Sequence, residues 1–267
     1  MYNYYYMDKQ YEPQWSNYLN QFDISNNYFN KISLDTGKFC VIVEPRIHAN
    51  LILVIKNFLY LLQTKNWGLI IFHSSKNINY LKTKLDGISN IIFINVTEDN
   101  LNVMQYNQLL FSTQFWNILK SYKCKHALIF QTDTLLLNDN IDDFINYDYI
   151  GAPWSKQLEW KKDIFSNINI GNGGLSLRNV DKMIKILETY PNNIMMRFNE
   201  DAYFSYFCLK EKYNIPSIEV AMKFSVETIY YENPCGVHKP LLYMFPNRES
   251  YIKLLSKRFN IQHSHEY

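Results

Sequence analysis

The chain has 267 residues, 47% of them apolar and 19% charged, and 27 basic against 25 acidic side chains leave a net charge of +2. That length and apolar content allow one substantial core and exclude a disordered chain. A charge so near zero, with no basic run following a groove-like pattern, leaves nucleic acid out of the expected partners.

Residues 1–36 are rich in Tyr and Asn and lack a clear period. They read as an N-terminal arm: a loose extension, an oligomerisation segment or an irregular wrap over the core. The opening MYNYYYMDKQYEPQW has neither a basic n-region nor an apolar h-region, so no secretory signal is expected. From Lys38 the pattern changes. Phe39-Cys40-Val41-Ile42-Val43 is a short apolar, β-branched run, the mark of a buried strand. A helix follows from Asn50 to Gln63. Its apolar stretch, Leu51 to Leu62, is interrupted by Lys56 and Asn57 and is too short to span a bilayer. Trp67 to Phe72 reads as a second strand, Asn77 to Leu85 as a helix and Asn90 to Asn95 as a third strand. One longer helix is expected from Gln105 to Tyr122, then a fourth strand at Ala127-Leu128-Ile129-Phe130.

Strands apolar throughout, alternating with helices, predict an α/β fold with a mostly parallel sheet covered on both faces. Ligands bind such sheets outside the carboxyl ends of the strands, which directs attention to the residues after Val43, Phe72 and Phe130. Beyond Asp148 the alternation gives way to loops, a Gly-rich turn, and helices from Val180 to Thr189 and from Glu200 to Tyr213. Residues 37–250 read as one domain and 251–267 as a C-terminal tail. The cysteines Cys40, Cys124, Cys208 and Cys235 have no metal-type spacing and read as small buried residues in a reducing compartment. A soluble cytoplasmic protein is expected.

Several segments carry residues suited to chemistry. Leu128 to Leu137 reads LIFQTDTLLL, with Gln131 and Asp133 at a strand's carboxyl end. A carboxylate there can bind a divalent metal bridging a diphosphate, or can merely cap a turn. Ile170 to Arg178 reads IGNGGLSLR; its glycines permit positive φ and close approach of backbone amides to a ligand, or make a plain turn. Asn199-Glu200-Asp201 opens a helix, as dipole-favoured caps or as a general base. Adjacent side chains on a helix diverge, so at most one of the two acids can face a substrate. His238 and Lys239 lie in a loop between Pro234 and Pro240, where a histidine can be a ligand and a lysine can neutralise phosphate.

In this order, the segments EPR, QTD, YIGAPW, GNGGLSLR, NEDAYF and GVHKP resemble the uncharacterised GT-A-like glycosyltransferase family of giant viruses, bacteria and some eukaryotes. The resemblance covers about residues 38 to 245. It implies a GT-A-type, Rossmann-like mixed sheet, mostly parallel and flanked by helices. It implies transfer of a sugar from a nucleotide-sugar donor, UDP-linked, to a hydroxyl on a glycan or protein acceptor. By the same resemblance Asp133 and His238 bind Mn2+ or Mg2+, with Gln131 standing where a first aspartate is usual. Glu44 and Arg46 hold the nucleoside, and Gly171, Gly173 and Gly174 line the donor sugar. Asp201, or failing that Glu200, is the base of an inverting displacement. Beside this, Trp154 and the loop from Ser155 to Asn169, with Trp160 and Phe165, can stack on sugar, close as a lid, or simply pack against the core. A host-cytoplasm or virion location would follow for a viral member. Two other readings stand beside this one. A nucleotidyltransferase would carry a Gly-rich basic loop after the first strand, where this chain has Glu-Pro-Arg-Ile-His. An inactive binding or structural relative is favoured by Gln131.

Overall fold

Strand β1 (Lys38–Val43) is buried at five of six positions and β2 (Gly68–Ser74) at all seven, the signature of strands covered on both faces. In the computed structural model, which describes residues 12–29, 32, 34–155, 167–191, 198–240, 245–259 and 261, β1 is paired in parallel with β2 on one side and with β4 (His126–Phe130) on the other. β2 pairs in parallel with β3 (Ile92–Thr97). The two remaining strands, β6 (Tyr149–Gly151) and β7 (Leu175–Asn179), complete a sheet of order β3-β2-β1-β4-β7-β6, with β7 antiparallel to both its neighbours. This is the mixed, mostly parallel sheet expected, flanked by helices.

Strand alternation sorts the core into two layers. Cys40, Ile42, Leu69, Ile71, Leu128 and Phe130 pack with α2 (Leu51–Leu62), where Phe58 stacks on Phe130. Phe39, Val41, Ile70, Phe72 and Ile129 pack on the other face with α5 (Thr113–Ser121), α6 (Val180–Thr189) and α7 (Glu200–Lys210). The α2 layer also takes in α1 (Glu12–Leu19) and the turns after it, which bury Trp15, Tyr18, Leu19 and Phe22. α3 (Ile78–Lys84) lies between β2 and β3 in the chain.

The helix expected from Gln105 to Tyr122 is two helices, α4 (Val103–Leu110) and α5. Asn102 and Gln105 form a reciprocal capping box that starts α4 earlier than the apolar pattern suggests, and the Ser112 hydroxyl caps α5 by accepting the Phe115 amide. Two short-range polar caps therefore override one apolar period. The helix expected to reach Tyr213 ends at Lys210.

A second sheet, of order β5-β9-β8, is made of very short strands: β5 (Thr134–Leu136), β8 (Ser225–Val226), which follows α8 (Ile218–Phe224), and β9 (Gly236–His238). Asn57 fastens β5 to α2: its side-chain nitrogen donates to the Leu136 carbonyl at 2.9 Å and its oxygen accepts the Leu136 amide at 2.8 Å. α9 (Arg248–Leu254) returns to the α2 layer through Tyr251 and Leu254. No helix among the described residues is long and apolar enough to cross a membrane. All four cysteines are buried and free of disulfides.

From β1 the sheet order runs one way to β2 and β3 and the other way to β4. In open sheets ligands bind at such a reversal, outside the carboxyl ends of the strands, here those of β1 and β4.

Candidate active site

Two loops leave the carboxyl ends of β1 and β4. After β1, Glu44 is 4% exposed and its carboxylate is committed to Arg46: Oε1 accepts the Arg46 amide and Nε, and Oε2 accepts the guanidinium at 2.7 Å. Asn77 donates to the carbonyls of Glu44 and Arg46 and fixes the loop from below. His48, half-buried in the same loop, is within the electrostatic reach of Glu44, Arg46 and Asp133. After β4, the chain turns at Gln131-Thr132-Asp133-Thr134; the Thr134 amide donates to the Gln131 carbonyl, and the Gln131 amide donates to the Thr134 hydroxyl.

Antiparallel pairing brings the remaining parts to the same end of the sheet. Phe130 is opposite Leu175, so the glycine turn before β7 falls beside the turn after β4, and the Thr134 hydroxyl donates to the Gly174 carbonyl at 3.0 Å. Thr134 is opposite His238, which puts Asp133 just beyond the ladder, where its carbonyl accepts the Lys239 amide at 3.0 Å. Lys239 has φ +36, a left-handed conformation that costs a non-glycine residue energy and that this pairing sustains.

The site is tightest where imidazole and glycine meet. His238 Nε2 lies 3.4 Å from Asp133 Oδ1, and both His238 nitrogens are buried without a hydrogen-bond partner among the described residues. A Cβ on Gly174 would overlap the imidazole ring, so only glycine lets the ring lie flat against the turn. The positive φ expected across this turn is confined to Gly171, at +144; Gly173 and Gly174 are required by close approach instead. Burial of His238 works against its positive charge, but Asp133 and Glu227 overcome it and raise its pKa to about 10. Burial likewise opposes ionisation of Asp133, whose side chain is still 42% exposed; His238 and Lys239 prevail and hold it at about 2.

The acidic pair divides as helix geometry requires. Glu200 is 4% exposed and faces inward to a bidentate ion pair with Arg178, whose guanidinium is enclosed by Trp116, Tyr149 and Phe204. Asp201 faces the glycine turn, where its Oδ2 accepts the Gly173 amide at 3.1 Å. Burial, reinforced by the Glu200 charge, pushes Asp201 up to about 7. The Tyr106 hydroxyl, buried and without a hydrogen-bond partner among the described residues, lies beside Gln131 and this pair. Trp154 is also 4% exposed and packs into the core with Tyr149 and Ile168, which leaves a ligand little ring surface. Trp160 and Phe165 lie outside the described residues.

The structure thus brings Gln131, Asp133, Gly173, Gly174, Asp201, His238 and Lys239 together, with Glu44 and Arg46 on the adjoining loop. Sequence reasoning missed Arg178, Tyr106, Asn172 and Glu227. Asn172 and Arg178 stood inside a motif read for its glycines, and Glu227 stands in no motif.

The model of the family described as a protein of unknown function (DUF5672) matches residues 90–238, more than half of the chain. The chain belongs to this family. The family's description names no activity, but its span runs from β3 to His238 and so includes the turn of Asp133, the glycine turn and Asp201. No curated protein matches the chain. Among solved structures, the chain is similar to the galactosyltransferase LgtC in complex with donor and acceptor sugar analogues, at 14% identity and a TM-score of 0.49 over 82% of this chain and 95% of that one. It is also similar to mouse xyloside xylosyltransferase 1 in its apo form, at 8% identity and a TM-score of 0.47 over 76% of this chain and 98% of that one. Scores below 0.5 at such identities establish no shared activity.

Proposed function

We propose that this chain is a glycosyltransferase with a GT-A-type fold, moving a sugar from a UDP-linked donor to a hydroxyl of a glycan or protein with inversion. The observation that carries the reading is the meeting of Asp133, His238 and Gly174: a carboxylate and a buried imidazole whose nitrogens make no hydrogen bond among the described residues, at a sheet's switch point, against a glycine that leaves the ring room.

These residues fit a divalent cation, Mn2+ or Mg2+. Asp133 Oδ1 and His238 Nε2, 3.4 Å apart, are close enough to ligate one ion once the imidazole gives up its Nε2 proton, which the charge of an arriving cation drives out. Among the described residues no group of three or more His, Cys, Asp or Glu could hold one, and diphosphate oxygens and water are the usual completion of such a site. When bound, the cation neutralises charge developing on the departing diphosphate.

This chain's own residues do the rest. Glu44 and Arg46 bind the nucleoside as a preformed ion pair, and Lys239 adds positive charge for the phosphates. Gln131, in place of a second carboxylate, offers an amide for hydrogen bonding to the ribose. The turn at Gly173 and Gly174 gives the donor sugar room to approach the backbone. Asp201 accepts the proton from the acceptor hydroxyl as its oxygen attacks the anomeric carbon and the nucleoside diphosphate departs on the opposite side. A pKa near 7 suits that exchange at neutral pH. Glu200, paired through both oxygens with Arg178, is held as a buried ion pair that anchors α7, which suits it to structure more than to proton transfer.

Gln131 also favours a second reading, a binding protein of the same fold that holds donors without turnover. Incubation with a panel of nucleotide sugars and Mn2+, assayed for released nucleotide, tests both. The expected outcome is cleavage of one donor that drops at least 100-fold in Asp133→Ala, since an electrostatic stabiliser of the transition state is typically worth that much. Donor binding without cleavage would select the second reading; no binding of any donor, with or without Mn2+, would sink both.

A further inference from the structure

One carboxylate beside the site has no part in the steps above. We infer that Glu227 is a positioning residue, anchored by Asn172 of the glycine turn, that holds the His238 ring with Nε2 beside Asp133 ready to ligate a cation. The inference rests on the cation site proposed above and names what makes that site work.

Its place follows from strand register. β8 pairs in parallel with β9, Ser225 opposite Gly236 and Val226 opposite Val237, so Glu227 emerges alongside His238. Glu227 Oε1 lies 3.6 Å from His238 Nδ1, while Nε2 on the far side of the ring faces Asp133 at 3.4 Å. The two nitrogens of an imidazole point away from each other, so Glu227 and Asp133 address opposite ends of the ring. In this orientation Glu227 cannot share an ion with Asp133; it acts on the ring itself.

Glu227 is also held. Its side chain is only 13% exposed, and Oε1 accepts a 2.7 Å hydrogen bond from Asn172 Nδ2. Asn172 Oδ1 in turn accepts the Gly174 amide at 3.2 Å, and the same Gly174 lies against the other face of the contact, under the imidazole. Ring, carboxylate and glycine turn therefore form one closed set. A carboxylate behind a ligating histidine fixes which nitrogen is free and raises its basicity, and its loss usually costs 10- to 100-fold in metal affinity.

The test is Mn2+ binding to the full-length, metal-free protein with UDP present, followed by the electron paramagnetic resonance signal of free Mn2+. Glu227→Ala should weaken Mn2+ by about 10- to 100-fold. Glu227→Gln keeps an oxygen for the ring N–H and should stay within about threefold of the parent, by the same logic. Spin-echo modulation from an imidazole nitrogen on Mn2+ should be present in the parent and Glu227→Gln and lost in Glu227→Ala, with the urea midpoint of the metal-free proteins unchanged. Parent-like Mn2+ affinity in Glu227→Ala overturns the inference. So does equal weakening in both variants with the nitrogen signal intact, which would make Glu227 a mere source of charge. Should Glu227→Ala fail to fold, Asn172→Ala releases the carboxylate without removing it; weakening is expected, and no change overturns the inference. If the parent binds no Mn2+, the cation site itself is wrong. Loss in Asp133→Asn with none in Glu227→Ala spares the site and removes only this role for Glu227.

Discussion

At the scale of single residues, the energetic tension of the site sits on Asp201. Its carboxyl rises from an ordinary 3.8 to about 7 because burial and the Glu200 charge both disfavour its ionised form. Between those two values the folded chain keeps a proton that the unfolded chain has released, so stability falls as pH rises through the window and levels off above it. Asp201→Asn removes that penalty. Urea denaturation should show it more stable than the parent at pH 8, on the order of 2 kcal/mol, and nearly equal at pH 4. Transfer should be abolished in the same variant, and parent activity should rise with pH through about 7. Equal stability at both pH values would mean that the carboxyl ionises freely, and the base assignment would fall. At this scale Asp133, His238, Asp201 and the glycines were legible in the sequence because they stand in short polar or Gly-rich segments between apolar runs. The sequence concealed Glu227 and Arg178 because their meaning is burial. An arginine in LSLR and a glutamate in SVET look like surface until the fold shows what encloses them.

At the scale of elements, the turn bearing Asp133 is only as firm as β5, an edge strand of three residues. Asn57, fully buried on α2, takes the place of a neighbouring strand by satisfying both the amide and the carbonyl of Leu136, and the Tyr18 hydroxyl donates to that carbonyl at 2.6 Å. Asn57→Leu strands a buried amide and weakens the carbonyl's satisfaction, at a cost of about 2–3 kcal/mol measured by urea unfolding. Donor affinity should fall with it, since the turn leads directly into β5; an unchanged urea midpoint would show that water replaces the amide there. The parallel strands were legible because both faces of β1, β2 and β4 are covered, which leaves runs such as CVIV and LIIF with no polar break. The direction of β7 was not, since Ser176 and Arg178 interrupt it with buried polar groups. β5, β8 and β9 are too short to show any period.

At the scale of the whole molecule, the described part of the first 36 residues is fastened to the core at several points. Trp15, Tyr18, Leu19 and Phe22 are buried, and the Lys56 ammonium reaches through the α2 surface to the Ile24 carbonyl at 2.6 Å. Removing residues 1–35 would bare the apolar side of α2. The shortened chain should lose solubility and unfold at lower urea, as judged by gel filtration and denaturation; a monodisperse product with the parent midpoint would make the segment a dispensable arm.

The pairing of Thr134 with His238 has a consequence in time. β9 is the central strand of its sheet and the last of the three to be made, so β5 waits, through the synthesis of about a hundred residues, for the strand it pairs with. A chain released shortly before residue 238 has most of its core and lacks both this pairing and the imidazole beside Asp133.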